Sequence, residues 1–490
     1  MEVLSGVLVV AFLISILRNT MHQLFLWQIK EYRLDRFLVH LKTWQGKRLL
    51  FGKIQVAKWL LLFSLPLFYQ NQSFFFWLVL GIFFIEGVLA IRYFFTLGWK
   101  LPVFTLKTVA ILIVVLSSLL GGLFVPFLNL AIRALILDRI LFFLVGFFIV
   151  LANIPAKIFQ RFVIFLAKRK IKSHPQLLVI GITGSYGKSS TKEFLAQILS
   201  QKFKVLKTPA NINTDIGVAK TILAHLKKNH QIFVCEMGAY KKGEIKAICE
   251  IVNPKIGIIT GICEQHLSLF GSFENIIKTK FELIESLPPK GLAVFNGNNK
   301  YCLKMAQEAK RIGKKIKVVK PPSKPPFKTD LPGKYFWENA LLAQVVAKKL
   351  GMTQKEIDKI VKRLKAPPCT MQILKKDDLV LIDDTYNSNP WGVLAALEYL
   401  KTFKGKKILV FQPMIELGKA SARLHQEVGK RAAQICDQIF LTNKNFYQDF
   451  LKGAQGKVKL GRDLPKIEKG AILFEGREAG VVLKLLISNG

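Results

Sequence analysis

Gly181-Ile-Thr-Gly-Ser-Tyr-Gly-Lys-Ser-Ser-Thr191 follows directly on the apolar run Leu177-Leu-Val-Ile180. This order predicts a buried strand, a tight glycine turn and a helix start near Ser189–Lys192, a bend that wraps backbone N–H groups around phosphate oxygens. Thr183, Gly184, Ser185, Tyr186, Gly187, Lys188, Ser189 and Ser190 are therefore the expected nucleotide-phosphate loop. Gly184 and Gly187 allow the backbone close to the phosphates, Lys188 neutralises the terminal phosphate and Ser189 reaches Mg²⁺. Ile182 stands where the first glycine of Gly-x-x-x-x-Gly-Lys-Ser is usual.

Downstream of the loop, short apolar runs alternate with helical segments. Strands are expected at Leu177–Ile182, Ile232–Glu236, Ile256–Thr260, Leu292–Asn296, Leu379–Asp383, Lys407–Phe411, Gln438–Leu441 and Ala471–Phe474. Helices are expected at Ser189–Lys202, Trp337–Leu350, Gln354–Leu364, Trp391–Lys401, Ala420–Cys436 and Glu478–Ser488. Strand–helix alternation predicts parallel α/β sheets that bind ligands at the C-terminal ends of their strands. Lys320–Pro332 reads as an irregular connection, and Ala366-Pro-Pro368 as a boundary. The α/β part thus divides into a P-loop central ATPase domain, 173–365, and a Rossmann-like C-terminal domain, 366–490. Glu236, Asp383 and Asp384 close strands and His266 follows one, so all four are candidates for the ligand edge. Taken singly, a histidine after a strand is more often structural, and an aspartate before a turn is often a cap.

Upstream, residues 1–172 differ in kind. Apolar stretches run at Val3–Leu17, Trp59–Tyr69, Phe74–Ile91, Val109–Leu130 and Ile140–Ile154. With about 20 apolar residues needed to cross a bilayer, about five transmembrane helices are expected. Lys and Arg crowd Arg18–Lys58, Arg92–Lys107 and Lys157–Lys172, whereas Gln70–Ser73 carries none. Five crossings with an outside N-terminus place all three basic stretches in the cytoplasm. Residues 18–58, with Trp27, Trp44 and Trp59, read as a basic amphipathic element at the membrane surface. The chain carries 72 Lys+Arg against 32 Asp+Glu, a net +40. Anionic lipid is the first partner this charge suggests; no nucleic-acid recognition motif accompanies it. The six cysteines occur singly, with no Cys-x-x-Cys pair, which argues against zinc and against a disulfide framework.

The motifs together resemble those of the Mur ligase family, over about Leu177 to Leu486. Besides the glycine turn they are Thr208-Pro-Ala-Asn-Ile-Asn-Thr-Asp-Ile-Gly217, Glu236-Met-Gly-Ala with Gly243-Glu-Ile, His266 with Phe270-Gly-Ser, and Lys280-Phe-Glu282. Asp383-Asp-Thr-Tyr-Asn-Ser-Asn-Pro390, Glu416-Leu-Gly418 and His425 complete the order. Within the family the likeness is greatest to the branch that joins D-alanyl-D-alanine to a UDP-linked muramoyl tripeptide in peptidoglycan synthesis. The resemblance implies an ATP-dependent carboxylate–amine ligase acting through an acyl-phosphate, with ATP and two Mg²⁺ ions. It implies that Lys188, His266 and Lys280 are catalytic, and that Ser189, Glu236, His266 and a carbamylated Lys280 hold the metals. Asn339 would face the adenine and Asp384 the ribose. Asn211, Asn213, Tyr386, Asn387 and Asn389 would lie toward the substrate.

The sequence also departs from the family pattern. Membrane helices occupy the end where a UDP-sugar domain is usual. Tyr335-Phe336 replaces an expected His-Asn, Cys369-Thr-Met371 an expected arginine, Gln412-Pro413 a Gly-Asp, and Glu475-Gly-Arg477 a Lys-Gly-Ser. The expectation is a multi-pass enzyme of the bacterial cytoplasmic membrane, its catalytic domains in the cytoplasm, working on a UDP- or lipid-linked cell-wall precursor. Another membrane-bound amino-acid or polyglutamate ligase, or a scaffold with an ATPase-like domain, are the alternatives.

Overall fold

The computed structural model describes residues 2–488 apart from 69, 127, 323–326, 328, 330, 462, 463 and 465–468. It forms two compact units, Met1–Phe159 and Gln160–Gly490. The long helix Leu130–Lys172 contributes to both. Its last turns belong to the second unit because Val163, Ala167 and Ile171 bury their side chains in that unit's core.

The first unit is helical. Glu2–Ile29, Gln72–Thr96, Leu106–Leu123 and Leu130–Lys172 are long and apolar enough to cross a membrane. Leu8, Phe12, Phe83, Val115 and Val145 form part of the core among them. The expected crossing at Trp59–Tyr69 is not a spanning helix. The helix Lys53–Phe63 has 11 residues and gives way to a 3-10 turn at Leu65–Phe68; at 1.5 Å per residue it is about 17 Å long, well short of a bilayer core of about 30 Å. Four crossings would put both ends of the helical segment on one side, so the arrangement with an outside N-terminus no longer follows from the count.

That short helix carries a fully buried lysine. Lys58 Nζ donates to Glu86 and, at 2.9 Å, to Asp138 Oδ1. Arg139 pairs with Asp138, Asn19 Nδ2 donates to Glu86 Oε1 at 3.2 Å, and the Phe83 ring lies 4.2 Å from the ammonium. Charges buried this deeply persist only when paired. Lys58→Met would leave Glu86 facing a neutral amide, a loss expected to cost about 3–5 kcal/mol. A lowered melting temperature of the detergent-solubilised chain is the check, with recovery on adding Glu86→Gln.

The second unit is α/β with two six-stranded sheets. The first holds β1 (Leu178–Thr183), β2 (Val205–Lys207), β3 (Ile232–Glu236), β4 (Ile256–Ile259), β5 (Leu292–Asn296) and β6 (Lys315–Val319). Its order is β2-β3-β1-β4-β5-β6, all parallel. The chain reverses direction across the sheet between β1 and β4, and a crevice at such a switch is where open parallel sheets bind ligands. The second sheet holds β7 (Gln372–Lys376), β8 (Leu379–Asp384), β9 (Lys406–Phe411), β10 (Gln438–Leu441), β11 (Val458–Leu460) and β12 (Gly470–Glu475). Its order is β11-β10-β9-β12-β8-β7, with only β7 antiparallel. Ile180, Ile182, Val234 and Ile258 of the first sheet and Ile382, Leu409 and Phe411 of the second join one continuous apolar core. The described part of Lys320–Pro332 is irregular, and the remainder lies outside the described residues.

Candidate functional site

At the switch point β1 runs into the turn Gly184–Gly187 and then the helix Lys188–Leu199. Gly187 caps that helix at φ +78°, and a Cβ there would come within 2.6 Å of Asn339 Oδ1. A side chain here would have to displace the Asn339 amide, and the left-handed backbone favours glycine independently. The turn is tied to the end of β4: Ser185 N donates to Gly261 O at 2.6 Å, and Ser185 Oγ exchanges hydrogen bonds of 3.1 Å with Cys263 N and O. Thr183 lies behind the turn, its hydroxyl donating to Met237 O at 2.9 Å. Lys188 Nζ curls over the turn and donates to the carbonyls of Gly184 (2.8 Å) and Ser185 (3.3 Å). Burial lowers its pKa, with the Glu236 carboxylate opposing.

Glu236, the last residue of β3, is 1% exposed. Its Oε2 accepts from Ser189 Oγ at 3.0 Å and pairs with Lys192 Nζ at 3.2 Å, while Oε1 accepts from Asn213 Nδ2 at 3.1 Å. Lys192 is the member of this cluster that sequence reading missed. One helical turn beyond Lys188 in a basic chain, it gave no sign that it would be buried.

His266 caps the short helix Leu267–Phe270 in the left-handed region, φ +60°. Its Nδ1 lies 2.5 Å from Glu416 Oε2, and Tyr240 packs edge-on at 4.9 Å. Burial lowers the imidazole pKa, with Glu416 pulling the other way. Lys280 lies buried in the helix Phe273–Glu285. Burial, and next the Lys188 ammonium, push its pKa down to about 7, against the pull of Glu244 and Glu282. Lys188, Glu236, His266 and Lys280 therefore form one electrostatic neighbourhood: Lys188 feels Glu236, and His266 feels both lysines.

Beside this cluster opens a cavity of about 330 Å³, within the range for small-molecule sites. Ser185 to Ser190 form one wall, Asn296, Lys334, Tyr335 and Glu338 a second, and Asp384, Tyr386, Asn387, Asn389 and Trp391 a third. Asn339 does not line it; it sits buried behind Gly187 with Nδ2 unpartnered among the described residues. Tyr386 reaches from the second sheet to Ser189 and the Asn211 backbone. Asn389 Oδ1 is occupied as a helix cap, accepting from Gly392 N at 3.0 Å. Asp384 accepts from Met371 N at 3.2 Å, and burial pushes its carboxyl up to about 7. Its register partner on β12, Glu475, is raised further by burial and by Asp384. Asp384 disfavours charge on Glu475, whereas Glu475 lowers the pKa of Asp384, so Glu475 is the member of the pair that keeps the proton.

The residues suit a nucleotide phosphate and a hard cation. The glycine turn leaves backbone approachable where a Cβ would clash, an orphaned amide stands behind it, and Ser189 with Glu236 presents oxygen donors of the kind Mg²⁺ prefers. No group of three His, Cys, Asp or Glu gathers among the described residues. Lys280 as an ammonium does not suit a cation; as a near-neutral amine it can take up CO₂ and become an anionic oxygen donor.

Residues 182–320 match the model of the Mur ligase middle domain, and 371–483 that of the Mur ligase glutamate ligase domain. The chain is 32% identical over 279 residues to the UDP-N-acetylmuramoyl-tripeptide–D-alanyl-D-alanine ligase of Escherichia coli (strain K12), covering 52% of this chain and 62% of that protein. It is 31% identical over 275 residues to the ligase of the same name from Bacillus subtilis (strain 168), covering 51% and 59%. The chain thus spans less than two thirds of the length of these relatives. Among solved structures it resembles MurF from Acinetobacter baumannii, with TM-score 0.62, 27% identity, and coverage of 67% of this chain and 80% of that one. MurF from Thermotoga maritima in complex with ADP is similar at TM-score 0.58 and 26% identity, covering 67% and 82%.

Proposed function

The chain belongs to the Mur ligase family, and from that premise we propose that it is a membrane-anchored, ATP-dependent carboxylate–amine ligase acting on a cell-wall precursor. The observation that carries the reading is the glycine turn with Lys188 and Ser189 lining a cavity of small-molecule size, Glu236 bonded to Ser189 behind that wall. The substrate carboxylate attacks the γ-phosphorus of ATP, giving an acyl-phosphate and ADP. A neutral amine then attacks the acyl carbon, expelling phosphate and losing a proton to form the amide. The glycine turn and Lys188 grip the phosphates and hold positive charge where the transferring group gathers negative charge. Ser189 and Glu236 would hold one Mg²⁺, and His266 with carbamylated Lys280 the second; the metals supply further charge stabilisation. Asp384, whose charged form Glu475 favours, can accept from a ribose hydroxyl, and Asn211, Asn213, Tyr386 and Asn387 lie on the substrate side.

The names of the relatives support a muramoyl tripeptide as carboxylate and D-alanyl-D-alanine as amine. Four apolar helices in the same chain support a membrane location, with the α/β unit in the cytoplasm, where ATP is available. They also favour a lipid-linked tripeptide, because anchoring enzyme and substrate in one bilayer raises their effective concentration. The basic stretches suit anionic headgroups. Incubating the full chain with ATP, D-alanyl-D-alanine and either UDP-linked or lipid-linked tripeptide tests this directly. ADP release with a matching peptide product is expected, faster with the lipid-linked form. Turnover with the UDP form alone would remove the lipid half of the reading, and turnover with neither would remove the ligase.

A further inference from the structure

The geometry points to Glu416 as a positioning residue that turns His266 toward the metal site from the other sheet domain, so that docking of the C-terminal domain completes the site. This rests on the reading of His266 as a metal ligand. With Nδ1 held 2.5 Å from Glu416 Oε2, the imidazole is fixed in one tautomer and the nitrogen left to face a cation is Nε2. A carboxylate behind a ligating histidine both orients the ring and makes the free nitrogen a better donor.

Four observations show that the contact is built. First, Glu416 and His266 both sit at positive φ, +69° and +60°, conformations that cost free energy and persist where the surroundings impose them. Second, the Glu416 backbone is clasped by the His266 segment: Ser268 N and Ser268 Oγ both donate to Glu416 O at 3.1 Å. Third, Gly418 packs so closely on that segment that a Cβ there would come within 3.2 Å of Ser268 N. Fourth, the loop is braced from behind by His425, which accepts from Met414 N at 3.0 Å through Nε2 and bonds Ser421 O at 2.7 Å through Nδ1. Burial pushes the His425 pKa down to about 4, so the ring stays neutral and keeps its acceptor. A contact that only joined two domains would not need two strained residues and a buried brace to aim one carboxylate. Arg423–Glu264, at 3.0 Å and partly exposed, is such an ordinary cross-domain pair and serves as the control.

The test uses the full chain in detergent, Mn²⁺ as the probe and a non-hydrolysable ATP analogue, read by electron spin-echo modulation from imidazole nitrogen and by Mn²⁺ titration. In wild type, nitrogen modulation is expected. Glu416→Ala should remove or shift it and weaken Mn²⁺ by about 10–100-fold. Glu416→Gln, whose amide oxygen still accepts from Nδ1–H, should recover part of both. Arg423→Ala should change Mn²⁺ affinity by less than about threefold, as expected for an exposed pair. Equal losses in Glu416→Ala and Arg423→Ala, or unchanged modulation in Glu416→Ala, would overturn the positioning role. His266→Ala separates the two levels: if it binds Mn²⁺ as wild type does, the ligand reading of His266 fails and this inference with it. If it loses Mn²⁺ while Glu416→Ala does not, only the inference fails.

Discussion

Lys188→Met is expected to abolish ATP-dependent turnover, by about a thousandfold or more, without destabilising the fold. Removing one preorganised donor from a site of developing charge costs about 10²–10³ in rate, and Lys188 contributes a full charge besides. In the structure its ammonium meets only the Gly184 and Ser185 carbonyls at 2.8 and 3.3 Å, while burial lowers its pKa. A lowered lysine pKa means that folding penalises the protonated form below that pKa. A neutral methionine removes the penalty, so the melting temperature at neutral pH should hold or rise. ADP release and a thermal melt, measured on one preparation, decide it. Undiminished turnover would exclude Lys188 from phosphate binding and favour a scaffold over an enzyme.

Lys280→Gln should cost a further two to three orders of magnitude relative to wild type, about 10²–10³ for one charge-stabilising group, and for a different chemical reason. Carbamate forms when a neutral amine attacks CO₂ and releases a proton, so an ammonium cannot react. With the pKa pushed down to about 7, about half the side chain is reactive at that pH, and the reactive fraction falls as pH drops further. Wild-type activity in CO₂-depleted buffer should therefore be low, return on adding bicarbonate, and need more bicarbonate at pH 6 than at pH 8. Stability carries the opposite sign from an ordinary ion-paired lysine. The folded pKa lies below the unfolded one, so stability rises with pH between about 7 and 10.5 and the full penalty is present below 7. Lys280→Gln should consequently melt no lower than wild type at pH 6. Activity indifferent to bicarbonate, with no ¹³C carbamate resonance in labelled protein, would rule the modification out.

What could be read without coordinates is set by local physics. All eight strands expected from apolar runs are present, and the four unforeseen ones, β2, β6, β7 and β11, are the edges of the two sheets. Interior strands are covered on both faces and announce themselves as Val, Ile and Leu runs. Edge strands carry charges that discourage further pairing, as in Lys315-Ile-Lys-Val-Val and Gln372-Ile-Leu-Lys-Lys, and so read as surface. The Trp59–Tyr69 crossing went the other way. Apolar composition suggested a span, but helix length and a lysine held by carboxylates on two other helices turned it into a short packed element.

Sequence alone determined the glycine turn between strand and helix and the parallel α/β architecture, because each depends on residues adjacent along the chain or on strand and helix periodicity. Tertiary structure alone decided that Lys192 is buried against Glu236, that Glu475 stands beside Asp384 as the acid that keeps the proton, and that Glu416 meets His266 across 150 residues of chain. Desolvation and charge–charge coupling act through space, and a linear chain carries no measure of either until it folds.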